Sequence, residues 1–476
     1  MWQGSSFMMG KLLVLGTTVL LARLLTPDDF GVVGLALVFI VYAESITDLG
    51  VAQALVYLAP NSRMKDAGLL VSLVMSGTLA TLAFFAAPMI ADFFGRHETA
   101  AMFRVLSIAL LLRGFGQVPD GLLRRDLLFR RRMIATSARA LAQGAVSIAL
   151  AFAGLGPWSI VWGYVVGETV QTTVIWALVD FRPTLRFWHV ELSAIRLLMA
   201  YGGPATANAL LYTLLMDVDY LIVGRQLGSE ALGYYTLAFR IPQLAIINVF
   251  YVISTVAFPL FSRAREDPAR LERGYFTSLR LQAVYGIAVG VGLATTAPMV
   301  IQVLFGAKWS PSVVPLQALA LYAAFRSLAG GSVDVWRGIG RPALAMWIAL
   351  IRLTLLVPLL LYAARYGIEA VAWVQAIVAG GAALLMQSQT ARLLRLTAKE
   401  IAMALVPAGA VGVGVGVGTG AVSVWLNGPE AVRLVLALGA GAVLGLGAIY
   451  VAAPTFFSEI RGLLVRRPRR DQPKRR

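Results

Sequence analysis

Apolar runs long enough to cross a lipid bilayer recur along this chain from one end to the other, and they constrain its fold more than any other feature. They fall at about 4–24, 30–57, 68–91, 100–120, 134–153, 157–179, 197–224, 231–261, 275–304, 312–336, 342–364, 367–387, 401–426 and 434–457. A helix rises 1.5 Å per residue, so about 20 apolar residues cross a ~30 Å hydrocarbon core. Water cannot reach an unpaired backbone group there, which leaves helices or closed barrels as the only spanning structures. The expectation is an all-α polytopic membrane protein of about fourteen helices; twelve or thirteen are the alternative counts. Only 14% of its 476 residues are charged, against roughly 25% in a soluble domain.

The cations locate the connectors. With the N-terminus on the cytoplasmic side, the even-numbered connectors and the tail are cytoplasmic, and they hold about 27 Lys and Arg. Among these are Arg124, Arg125, Arg130, Arg131 and Arg132, and the tail cluster from Arg461 to Arg476. The odd-numbered connectors hold five: Arg96, Arg225, Lys308, Arg365 and Arg433. That asymmetry follows the positive-inside rule and puts both termini in the cytoplasm. It also accounts for most of the +17 net charge without invoking nucleic acid. The basic tail is suited to anionic headgroups. The start, Met1-Trp2-Gln3, lacks a basic n-region, so no removable signal peptide is expected.

The spans are duplicated. ARLLTPDDFGVVGLALVF (22–39) lines up with GRQLGSEALGYYTLAFRI (224–241) at an offset of 202, and GPWSIVW (156–162) with GIEAVAW (367–373) at 211. Arg113 and Arg139 correspond to Arg326 and Arg352 at 213. Six spans separate the copies, so both have the same orientation, as in transporters built of parallel repeats. The expected organisation is a six-helix lobe over 1–180 and an amphipathic linker over 181–196. A second six-helix lobe follows over 197–390, then a helix pair over 400–457 and a basic cytoplasmic tail over 458–476.

Enzyme chemistry finds little support. There is no cysteine, and the two histidines, His97 and His189, are far apart. No phosphate loop or zinc spacing occurs and every connector is short, so neither an enzyme nor a metal site is expected. What stands out is charge inside the spans, at roughly 2.5–3.5 kcal/mol per group on insertion scales. Lys11, Arg113, Arg139, Arg326 and Arg352 are the candidates for a cationic lumen, since guanidinium forks suit phosphate. Glu44, Asp48, Asp120, Glu168, Asp217 and Asp219 are the candidate lumen or coupling acids. Salt bridges such as Arg113 with Asp120, or Glu44 with a lysine, are the competing structural reading. In the terminal pair, Gly412, Gly416 and Gly420, and Gly441 and Gly445, recur every fourth residue and predict close helix contact. Gly202-Gly203-Pro204 and Arg240-Ile241-Pro242 are hinge candidates.

LARLLTPDDFGVVGLA (21–36), DLGVAQALV (48–56) and MDVDYLIVGRQLGSEALGYYTLAFRIP (216–242) resemble the Wzx-type polysaccharide flippases. These belong to the multidrug/oligosaccharidyl-lipid/polysaccharide exporter superfamily, and the likeness extends over essentially the whole chain. The resemblance implies a MATE-like fold in the bacterial plasma membrane. It also implies alternating-access transport of an undecaprenyl-diphosphate-linked oligosaccharide from the inner to the outer leaflet, for surface polysaccharide. No bound cofactor is implied; a Na+ or H+ gradient or the membrane potential would drive the cycle. Membrane lipids and the lipid-linked substrate are the expected partners of a monomer, with glycan polymerase and export machinery as further candidates. The competing functions are a cation-coupled drug exporter of the same superfamily and a membrane glycan polymerase or ligase.

Overall fold

Thr26 ends one helix and starts the next. Between α1 (Trp2–Leu24) and α2 (Pro27–Thr47), the Thr26 amide and hydroxyl donate to Asp29 Oδ2 at 2.8 and 2.7 Å, and the Asp29 amide donates back to Thr26 Oγ1 at 3.2 Å. This reciprocal cap satisfies donors that a helix start leaves open. Pro27 follows at the first helical position, where its missing N–H is harmless. Thr397 and Glu400 repeat the device at the start of α14 (Ala398–Trp425).

The computed structural model describes residues 2–47, 50–57, 62–183, 192–341 and 343–454, and among them it contains helices and no strand. After α2 come α3 (Val51–Tyr57), α4 (Ser62–Phe93), α5 (Thr99–Arg125), α6 (Phe129–Phe152) and α7 (Trp158–Leu178). The next helix, α8 (Leu192–Pro242), is interrupted at Gly228, whose φ of 85° and ψ of 179° break the helical path, a conformation glycine adopts without strain. A π-helical turn, Gln243–Ile247, follows Pro242 directly and leads into α9 (Asn248–Ala264). This is the Arg240-Ile241-Pro242 hinge candidate, and the widened turn accommodates the proline that cannot donate to the helix ladder. Then come α10 (Pro268–Leu304), a 3-10 turn (Ala307–Ser312), α11 (Val313–Gly338), α12 (Ala343–Ala363), α13 (Ile368–Leu394), α14 and α15 (Glu430–Ala452). Ten helices among the described residues are long and apolar enough to cross a membrane. Dividing α8 at Gly228 and joining its second half to α9 fits the fourteen expected passes. Large apolar side chains such as Phe85, Met89, Ile377, Leu384 and Val451 are exposed on helix after helix, as a lipid-facing surface requires. The chain is a multi-pass helical membrane protein.

The described residues fall into two compact units, within Met1–Leu237, Leu304–Ser312 and Leu353–Val371 for the first, and within Ala238–Val303, Val313–Arg352 and Ala372–Arg476 for the second. The first is centred on Val33, Ala36 and Ile40 of α2, Phe103, Leu106 and Leu110 of α5, and Val161 of α7. The second has a core of Phe261, Tyr275, Leu279 and Trp336, and it includes the α14–α15 pair. That pair meets through Gly414 and Gly418, where a Cβ would lie 2.6 Å from Ala440 O for Gly418 and would overlap Leu444 O for Gly414. The stripe singled out in the sequence faces elsewhere: Gly412 and Gly416 pack on Ile287 and Val291 of α10, and Gly420 faces open space. Gly441 and Gly445 do receive α14, against Thr419, Val415 and Val411. Gly418→Leu is therefore expected to lower stability by about 1–3 kcal/mol through overpacking, whereas Gly420→Ala should be neutral or slightly stabilising. Thermal unfolding in detergent checks both, and equal destabilisation by the two would contradict the packing.

Candidate functional site

In the first unit four helices bring charged side chains to one place inside apolar surroundings. Arg113 of α5 lies 3.0 Å from Glu44 of α2 and 3.8 Å from Glu168 of α7. Arg139 of α6 lies 2.6 Å from the same Glu168, and it also donates to Gln171 Oε1 at 3.2 Å. The Tyr164 hydroxyl donates to Glu44 at 2.5 Å, and the Arg139 guanidinium sits 5.2 Å above the Tyr164 ring. Both carboxylates are deeply buried, with side-chain exposures of 9% and 3%, while Arg113 keeps 35% and Arg139 keeps 23%. Two guanidiniums thus balance two carboxylates, and the Tyr164 phenol and the Gln171 amide add one hydrogen bond each.

Small residues put these groups within reach. Gly163 and Gly167 sit one turn apart on α7, and a Cβ at Gly167 would come 3.0 Å from Gln143 Cβ and 3.4 Å from Arg139 Cγ. Their bareness lets α6 approach closely enough for Arg139 to meet Glu168. On α5, Gly114 follows Arg113 and packs directly on Ser76 of α4. At the equivalent place in the second unit the partners exchange: Ser327 follows Arg326 on α11 and packs on Gly286 of α10.

The second unit gathers the other arginine pair around a phenol. Arg326 and Arg352 (α12) both donate to Tyr322 Oη, at 3.0 and 3.4 Å, and Arg352 also donates to Gln375 Oε1 of α13 at 3.4 Å. Both guanidinium carbons lie 5.7 Å from the Tyr322 ring centre, within cation–π range. Tyr322 and Gln375 are buried, and the Nε of Arg352 is buried without a hydrogen-bond acceptor among the described residues.

The remaining sequence candidates separate. The side chains of Lys11 and Asp48 lie outside the described residues. Arg113 does not pair with Asp120. Instead Asp120 is gripped at the end of α5 by Arg124 and Arg132, at 2.5 and 2.7 Å, so connector arginines neutralise it. Glu44 is matched by an arginine rather than a lysine. Asp219 is fully buried and accepts from Tyr235 Oη at 2.6 Å and from the Tyr220 amide at 3.1 Å, a structural arrangement. Asp217 joins no hydrogen bond or ion pair among the described residues. Tyr164, Gln171, Tyr322 and Gln375 were not singled out in the sequence, because uncharged polar groups in apolar helices do not stand out by charge. Among the described residues no group of three or more acids and histidines could hold a metal.

A second constellation joins the odd-numbered connectors of the first unit. Gly31 packs on the backbone of Ser229, and Gly233 packs on the backbone of Pro27. At the repeat offset of 202, Pro27 corresponds to Ser229 and Gly31 to Gly233, so the two contacts are one contact made twice, as across a two-fold axis. Asp28 accepts from Arg96 at 2.8 Å and from the Ser229 hydroxyl. From the 3-10 turn, Lys308 donates to Leu25 O at 2.7 Å and Trp309 Nε1 to Ala22 O at 2.9 Å. Arg23 donates to Leu304 O at 3.0 Å.

Residues 20–314 match a family described as polysaccharide biosynthesis protein. Over 390 residues the chain is 25% identical to the teichuronic acid biosynthesis protein TuaB of Bacillus subtilis (strain 168), covering 79% of this chain and 78% of TuaB. Over 366 residues it is 27% identical to the succinoglycan biosynthesis transport protein ExoT of Rhizobium meliloti (strain 1021), covering 75% of this chain and 72% of ExoT. Among solved structures, the lipid II flippase MurJ in an inward closed conformation is similar with a TM-score of 0.78 at 16% identity, covering 96% of this chain and 99% of that one. At that identity the likeness concerns the fold.

Proposed function

This chain belongs to the polysaccharide biosynthesis protein family, and on that premise we propose that it is a flippase for a lipid-linked oligosaccharide. It carries an undecaprenyl-diphosphate-linked glycan across the plasma membrane by alternating access, for surface polysaccharide, and acts as a transporter rather than an enzyme. The single observation that carries the reading is the arginine pair in each unit, at repeat-related positions within apolar helices. A glycan headgroup cannot cross hydrocarbon unaided, since its hydroxyls would lose their hydrogen bonds. A lumen with fixed guanidiniums replaces water around the diphosphate, while the polyprenyl tail stays in lipid.

The names of the relatives support this cargo: TuaB and ExoT are named for teichuronic acid and succinoglycan, and MurJ for lipid II. The six-helix lobes, 1–180 and 197–390, would rock about the substrate, with the 400–457 pair beside them and a Na+ or H+ gradient or the membrane potential as the driving force. A drug exporter for cations is disfavoured, because Glu44 and Glu168 are already engaged by arginines. A strain lacking the gene should accumulate lipid-linked repeat units on the cytoplasmic leaflet and lose surface glycan. Normal surface glycan with no trapped intermediate would refute the reading.

The cation asymmetry supports cytoplasmic termini. The chain has no cysteine, so single replacements report cleanly. Arg130→Cys should react with a membrane-impermeant maleimide only after the cytoplasmic side is opened, and Ser310→Cys in intact cells. The opposite pattern would invert the topology.

A further inference from the structure

On the side of the even-numbered connectors, the first unit holds a small cavity of about 190 Å³ that the arginine cluster does not use. Lys65 near the start of α4, Asp126 just past α5, Arg131 near the start of α6 and Asp180 just past α7 supply its charges. Leucine, valine and phenylalanine side chains make up the rest of the lining. Two cations therefore face two carboxylates inside an apolar collar. The neighbouring arginines do not tip this balance. Arg124 and Arg132 are engaged by Asp120, and Arg125 and Arg130 do not line the cavity.

The connector beside this cavity is built to stay apolar and exposed. Leu127 has a φ of 55°, the left-handed region that glycine ordinarily fills at a helix end. The Asp126 and Leu128 amides close the end of α5 onto Leu122 O and Leu123 O, each at 2.9 Å. That turn leaves Leu127 69% exposed, with Phe129 exposed as well. An apolar side chain presented outward from a strained turn at a span end suits lipid rather than water. Across the cavity, Arg131 donates to Leu178 O at 2.9 Å and lies 3.7 Å from Asp180. The Asp180 side chain is fully exposed, so that pair is weak. The guanidinium has five N–H donors, and Leu178 O takes one of them. The side chains of Lys65 and Asp126 join no hydrogen bond or ion pair among the described residues.

Size and charge together specify the guest. Sites that enclose a whole ligand measure about 300–1,000 Å³, so this cavity takes a headgroup whose apolar remainder stays in the bilayer. A phosphate accepts charge-assisted hydrogen bonds from Lys65 and Arg131, and a primary ammonium donates them to Asp126 and Asp180. A headgroup with a phosphate and no ammonium would lie beside two uncompensated carboxylates. A quaternary ammonium carries charge but no N–H to donate. We propose that this cavity binds the phosphoethanolamine headgroup of a membrane phospholipid. The bound lipid ties the starts of α4 and α6 to the ends of α5 and α7. The proposal does not draw on the flippase reading, and the binding is measured apart from transport.

The delipidated full chain in detergent is titrated with dioctanoyl phosphatidylethanolamine, phosphatidylglycerol and phosphatidylcholine, and bound lipid is counted by native mass spectrometry. Phosphatidylethanolamine is expected to bind about tenfold more tightly than either of the others, the worth of its charge-assisted bonds to the two carboxylates. Equal occupancy by all three lipids, as in a non-selective lipid annulus, overturns the site. Tighter binding of phosphatidylglycerol also overturns it, since the connector would then be a plain basic surface. Asp126→Asn combined with Asp180→Asn should remove the preference for phosphatidylethanolamine over phosphatidylcholine. Lys65→Gln should weaken both of those lipids and keep the preference, because both carry the phosphate. Arg265→Gln, on the exposed α9–α10 connector, should change neither. An unaltered preference in the Asp126/Asp180 variant overturns the proposal. Should that variant fail to fold, Lys65→Gln and Leu127→Gly carry the test. Leu127→Gly relieves the backbone strain, so it should raise the unfolding temperature while lowering phosphatidylethanolamine occupancy. Unchanged occupancy in both variants overturns the proposal. Selective binding in a chain whose deletion leaves surface glycan normal supports this site and refutes the flippase reading; trapped lipid-linked glycan with no lipid selectivity does the reverse.

Discussion

Replacing Arg113 by alanine is expected to cost the folded protein about 3 kcal/mol, because it strands a carboxylate inside the bilayer. Removing one partner of a buried ion pair typically costs about 3–5 kcal/mol, chiefly for the charge left behind. Here the lower end applies. Arg113 keeps 35% of its side chain exposed, and Glu168 retains Arg139 at 2.6 Å. Glu44 is the group left in difficulty, with only the Tyr164 hydroxyl still donating to it among the described residues. Removing its charge as well should relieve the strain, so Arg113→Ala combined with Glu44→Gln is expected to be more stable than Arg113→Ala alone. Thermal unfolding of the four corners of that cycle measures the coupling directly. Additive effects would mean that the pair contributes no stability of its own. A transport defect in Arg113→Ala therefore has to be read against this instability, whereas Arg352, which forms no ion pair among the described residues, offers a cleaner probe of the proposed lumen.

Much of this arrangement was legible in the sequence, and the illegible part has a common physical cause. Spans, connectors and the duplication follow from hydropathy, positive charge and offset, which are properties of position along the chain. Arg113, Arg139, Glu44 and Glu168 could be singled out because a charge in an apolar helix is improbable without a role. Which of them touch is a property of helix neighbourhood, and that is set by small residues whose spacing looks alike on every face. Gly167 admits Arg139 to Glu168, while the equally regular Gly412 and Gly416 serve α10 rather than the terminal partner helix. Asp120 shows the converse: it reads as intramembrane, yet it lies close enough to the helix end for Arg124 and Arg132 to reach it. The Tyr322 hydroxyl and the Gln375 amide were invisible to a search for charge, although the repeat itself aligns Gln375 with Tyr164.

The junction of the odd-numbered connectors should prove the part of the molecule least tolerant of an added methyl group. Gly31 meets the carbonyl of Ser229, and Gly233 meets that of Pro27. A side chain at either place presses on backbone, which cannot swing aside as a side chain would. Overpacking usually costs about 1–3 kcal/mol, and contact with backbone on both sides points to about 3 kcal/mol for Gly233→Val. Because the contact is reciprocal, Gly31→Val should do equal harm, and the double variant should lose less than the sum, since either change already separates the same two segments. Separation also has a chemical signature. Ser229 is 1% exposed, so Ser229→Cys should resist a membrane-impermeant thiol reagent in the otherwise native chain and become reactive when Gly233→Val is added. Unchanged protection together with an unchanged unfolding temperature would show that the junction yields without opening. The segments involved carry the repeated motif itself, Thr-Pro-Asp-Asp-Phe-Gly at 26–31 and Gly-Ser-Glu-Ala-Leu-Gly at 228–233. Its recurrence thus follows from geometry: each copy supplies both the glycine that is approached and the backbone that approaches the other.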